Sequence, residues 1–120
     1  MKADIKAEWK KNLRSGKFAQ GNGQLRTWDE ENQRWVYCCL GVLCEMSGLA
    51  EWVEFTDSYN APAASYLGEQ HYLPPEVAEW AGIDPSNEEE GDVQQRLGTL
   101  NDSGLSFTAI SDKLDTTHDL

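Results

Sequence analysis

YCCLGVLCEM, residues 37–46, is almost wholly apolar. Its apolar positions do not alternate. Cys39, Leu40, Val42 and Leu43 surround an axis, which predicts a buried helix ended by Gly48 rather than two strand fragments. Gly41 in its middle costs about 1 kcal/mol of helix propensity relative to Ala. A glycine at such a place signals close approach of another backbone. This segment is expected to be the central element of the core.

Just upstream, WVYCC is aromatic and β-branched, and 34–38 is expected to pair with 23–28 as a hairpin across a polar turn at 28–34. Gly21, Asn22 and Gly23 favour a positive-φ turn. Further back, Ile5, Trp9 and Leu13 recur every four residues, with Lys6, Lys10, Lys11 and Arg14 on other faces, so 3–15 reads as an amphipathic helix. Downstream, short strands are expected near 51–56 and 64–73, and a helix from Pro74 and Pro75 to Gly82. DPSNEEEGD (84–92) reads as an acidic loop and 93–101 as a helix, with a break at Asp102–Gly104. Ser106 then caps a last helix carrying Phe107, Ile110 and Leu114. The expected fold is a single α+β domain over 1–120, with about four helices and a short antiparallel hairpin or small sheet.

The 120 residues carry a net charge of −11, which argues against direct nucleic-acid binding because phosphate would be repelled. No apolar run approaches the roughly 20 residues that span a membrane, and the N-terminus lacks the apolar stretch of a secretion signal. Three cysteines, two of them adjacent, suit reduced thiols in a cytoplasm better than a disulfide framework. The charge is divided. Residues 1–40, the basic helix and Gly-rich hairpin, hold eight basic and five acidic residues; 41–120 hold two basic and sixteen acidic ones. Such asymmetry points either to two faces with different partners or to opposite charges meeting across the fold.

Chemistry is sparse. Cys38, Cys39 and Cys44 with His71 or His118 lack the spacing of a zinc knuckle and read as core thiols, so neither a metal nor a cofactor is expected. No nucleophile motif is present, and an enzyme is not expected. Gly21-x-Gly23 between Lys17 and Arg26 is either a turn or a backbone cradle for an anion. LNDSGLSFTAISDKL (100–114) has the short turn of a helix-turn-helix, but its second helix is acidic, so a structural helical hairpin is expected.

Four phrases occur in order: WKKNLRSGKFAQGNGQL (9–25), YCCLGVLCEMSG (37–48), LPPEVAEWAGI (73–83) and LGTLNDSGLSFTAISDKL (97–114). Together they resemble a family of small proteins of tailed bacteriophages and prophages. The chain departs from that pattern in TWDEENQRW (27–35) and in its early end. The resemblance implies a phage accessory protein in the host cytoplasm that blocks host defence by non-catalytic binding, with oligomeric state open. Two mechanisms follow. One is sequestration of a nucleotide-like immune signal: Arg14, Lys17 and Arg26 against phosphate, Gln20 and Gln24 for polar edges, Asn101 and Asp102 for ribose or base, and Trp28, Trp35 or Tyr37 as a platform. The other is an acidic, protein-directed inhibitor of a basic host nuclease or effector, acting as a nucleic-acid mimic through Glu76, Glu79, Asp84, Glu88, Glu89, Glu90 and Asp92.

Overall fold

The apolar run forms helix α2 (Cys39–Ser47), in which every residue from Cys39 to Cys44 is buried. A computed structural model describes residues 1–84 and 88–116, with backbone alone for 88–93 and 116. Around α2 stand α1 (Ala3–Arg14), α3 (Pro75–Ala81), α4 (Glu88–Asp102) and α5 (Phe107–Thr116). Four short strands complete the chain: β1 (Arg26–Asp29), β2 (Arg34–Tyr37), β3 (Val53–Thr56) and β4 (Pro62–Ser65). They form one antiparallel sheet in the order β2-β1-β4-β3. The α+β class is as expected. Five helices replace about four, and the small sheet has four strands.

Gly41 bears out its sequence reading. A Cβ there would lie 1.9 Å from the Leu25 carbonyl oxygen and 2.8 Å from its carbon. The chain entering β1 therefore lies directly against α2, and only a residue without a side chain admits it. Gly48 and Gly82 end α2 and α3 in the left-handed conformation, as helix-stopping glycines do. Ser106 Oγ accepts the Ala109 N–H at 3.2 Å, the expected cap of α5.

The main corrections concern boundaries. Helix α4 begins at Glu88, inside the stretch expected to be an acidic loop over 84–92. Three glutamates at a helix start suit the positive end of the helix dipole, which outweighs their polarity as a loop signal. The hairpin pairs Arg26↔Tyr37 through Asp29↔Arg34, so its turn is 30–33 rather than 28–34. The GNG segment is no hairpin turn. Gly21 N–H donates to Tyr37 O, laying residues 19–21 along the edge of β2. No described helix is long and apolar enough to cross a membrane.

Candidate functional site

The basic helix α1 packs on α5, and its cations are used there. Lys10 pairs with Asp115. Arg14 pairs with Asp112 and donates through Nε to Ser111 Oγ at 2.8 Å. The Lys10 contact, a hydrogen bond as well as a charge pair, holds the Asp115 carboxyl below its ordinary range. Lys17 is exposed beyond the end of α1. Two of the eight cations of the first third, Lys10 and Arg14, thus serve a helix–helix seam.

The polar residues of the expected ligand site are brought together, but on one another. Asn101, only 2% exposed, accepts through Oδ1 from Cys39 N–H at 3.2 Å and from Gln20 Nε2 at 3.0 Å. Its Nδ2 donates to Gly21 O at 2.7 Å. Helix α2 has no side-chain cap of its own at Cys38, so Asn101 serves its first turn from a distant helix. Gln20 Oε1 accepts the Phe107 N–H that opens α5. Asp102 Oδ1 accepts Gly23 N–H at 2.8 Å. The amides of Gly21 and Gly23 that would cradle an anion are therefore bonded to the protein itself.

Arg26 stands elsewhere, on the sheet. Its guanidinium carbon lies 4.2 Å from the Trp35 ring centroid, 5.4 Å from Trp52 and 5.5 Å from Tyr37. The pairs Arg26↔Tyr37 and Trp28↔Trp35 put these residues on one sheet face. Trp28 meets Trp35 edge-on at 5.4 Å and donates its indole N–H to Glu30. Burial raises the Tyr37 hydroxyl above the ordinary phenol value, and the charge of Arg26 pulls it back.

Gln24 and Asp102 line a common cavity with Cys38 and His71, of about 80 Å³. That is far below the roughly 300 Å³ at which small-ligand pockets begin. A thiol, an imidazole and a carboxylate around one cavity are the ingredients of nucleophilic catalysis. Here burial pushes the Cys38 thiol up to about 11, and Asp102 pushes the same way. His71 Nδ1 lies 2.7 Å from Gly23 O. A protonated thiol beside a ring bonded to a carbonyl is packing rather than an activated nucleophile. Burial raises the Cys39 and Cys44 thiols as well. Among the described residues no cluster of metal-ligating side chains forms, and His118 lies outside them.

A hollow of about 410 Å³ lies on α4, lined by Gln95, Arg96, Thr99 and Leu100, and two somewhat larger ones include residues of α3. One, of about 560 Å³, has Ile5, Phe18, Met46 and Trp80 as its apolar lining and the carboxylates Asp4, Glu8 and Glu45 with Asn12 as its polar part. The other, of about 450 Å³, is lined by Pro75, Glu79, Gly82, Ile83 and Asp84. Among the described residues no lysine or arginine lines either. Sequence reasoning named Glu79 and Asp84 for an acidic interface but missed Asp4, Glu8 and Glu45. The signal was the four-residue spacing of Asp4, Glu8 and Asn12, which stripes one side of α1. Glu76 is exposed on α3. The side chains of Glu88, Glu89, Glu90 and Asp92 lie outside the described ones.

No curated protein and no solved structure matches the chain. The sequence pattern of a domain of unknown function, DUF8296, matches residues 1–118, so the chain is a member of the DUF8296 family.

Proposed function

We propose that this protein is a phage accessory factor that acts by non-catalytic binding, and that its acidic surface engages a basic host protein such as a defence nuclease or effector. The observation that carries the reading is the pair of grooves beside α3, lined among the described residues by five carboxylates and apolar side chains with no lysine or arginine. Apolar lining supplies contact area, and one-signed charge around it selects a cationic partner and speeds its approach. The net charge of −11 adds a long-range field of the same sign. The phage setting rests on the ordered set of four sequence phrases. Sequestration of a nucleotide-like signal receives less support, because Arg14 is paired with Asp112 and the glycine-loop amides are bonded internally.

The test uses tagged wild type and a variant carrying Asp4→Asn, Glu8→Gln and Glu45→Gln, each purified from a defence-active host. The reading predicts that a basic protein is retained by wild type and lost by the variant. It also predicts release as salt rises from about 0.1 M to 1 M, which shortens the screening length from about 10 Å to 3 Å. Equal retention by both proteins, or retention of a small molecule alone, would refute it.

A further inference from the structure

Arg26 differs from Lys10 and Arg14 of α1. Lys10 and Arg14 each reach a carboxylate on α5, and Arg34 has Asp29 at 3.9 Å. Among the described residues Arg26 has no ion-pair partner, although acids outnumber bases by 21 to 10 in this chain. Its Nε is buried and has no hydrogen-bond partner. What surrounds it instead is aromatic: Trp35 and Tyr37 from β2, and Trp52 from the segment before β3. The ring faces stabilise the charge and the Tyr37 hydroxyl has a side-chain hydrogen bond with Arg26, but the buried Nε–H finds no acceptor. A guanidinium projects its N–H donors within its own plane as a fork matched to two oxygens of one group. The cluster thus orients a cation, partly dries its surroundings and leaves donor capacity unused.

We infer that Arg26, held by Trp35, Tyr37 and Trp52, is a binding site for a small-molecule oxyanion, a carboxylate or phosphate group received by the guanidinium edge. None of its residues lines the acidic grooves, although Trp52 donates its indole N–H to Glu45 and Tyr37 packs on Phe18, both of which line the larger one. Arg26→Gln leaves every groove carboxylate in place, so with that variant either proposal can fail alone.

The experiment titrates the full-length protein with inorganic phosphate and, separately, with acetate, against sodium chloride at matched ionic strength. Tryptophan emission is read, together with the Arg26 Nε–H resonance in a ¹⁵N-labelled sample. A saturable emission change with a shift of that resonance is expected. Saturation by phosphate alone assigns a phosphate group, and saturation by acetate assigns a carboxylate. Arg26→Gln should abolish the response. Arg26→Lys, which keeps the charge and guards against a folding defect in the first variant, should weaken it about tenfold, because an ammonium cannot supply the planar fork. Arg34→Gln removes a neighbouring cation outside the ring cluster and should leave both titrations unchanged. No saturable response to either anion would overturn the inference. So would a response that survives in Arg26→Lys at full strength, or one lost equally in Arg34→Gln.

Discussion

Replacing Asn101 by Leu keeps the side-chain volume close to native and removes every hydrogen bond that the Asn101 side chain makes. Two backbone groups lose partners: the buried Cys39 N–H at the start of α2 and the part-buried Gly21 carbonyl. A buried group left unsatisfied costs about 1–3 kcal/mol, and a partly wet one costs less, so the loss is roughly 2–4 kcal/mol. That is a large share of the 5–15 kcal/mol or so that holds an ordinary domain together. Equilibrium urea unfolding followed by tryptophan emission measures it, with an unchanged slope showing that the denatured state is not altered. Asp102→Asn is the companion variant. It keeps an oxygen for Gly23 N–H at an exposed position and should shift stability by less than about 0.5 kcal/mol. A loss below about 1 kcal/mol for Asn101→Leu would show that Asn101 is not the tie between α4, α2 and the glycine loop.

Three further outcomes follow. Gly41→Ala should lose about 1–3 kcal/mol or more, because its Cβ meets backbone at Leu25, whereas Gly98→Ala, with open space around it in α4, should gain about 0.5–1 kcal/mol in thermal unfolding. Asp57 is held below the ordinary carboxyl range by the Ala61 and Tyr59 N–H groups, and Asp115 by Lys10. Folded-state values below the unfolded ones mean that unfolding takes up protons, so their contribution is present above about pH 4 and is lost as pH falls through the folded values. Asp57→Asn should therefore flatten the acid limb of a stability-against-pH curve; an unchanged limb would contradict this. Finally, a thiol reagent at pH 8 should label none of the three cysteines until the chain unfolds, and fast labelling of native protein would overturn the inert assignment of Cys38.

What the sequence made legible was local. The apolar run around Gly41, the proline start and glycine stop of α3, and the Ser106 cap all act within a few residues, and each was found where expected. The strand Pro62–Ser65 was harder, because PAAS has little β propensity. Its alanines are wholly buried between β1 and β3, and small size rather than branching fits them there. The candidate site was misjudged for a related reason. Arg14 meets Ser111 across 97 residues and Asn101 meets Cys39 across 62. Residue types suited to a nucleotide are equally suited to capping helices and pairing charges, and only tertiary contacts decide which demand is met. The carboxylates of the larger groove come from α1 and α2, and no local pattern joins them.

The acidic grooves beside α3 are proposed to receive a cationic, partly apolar partner. The most direct measurement is a two-dimensional amide spectrum of the labelled protein titrated with a lysine-rich amphipathic peptide. Shifts should concentrate at Asp4, Glu8, Glu45, Met46 and Trp80, be reversed by salt and be absent from the variant lacking those three carboxylates. Shifts of equal size in that variant, or shifts confined to other faces, would contradict it.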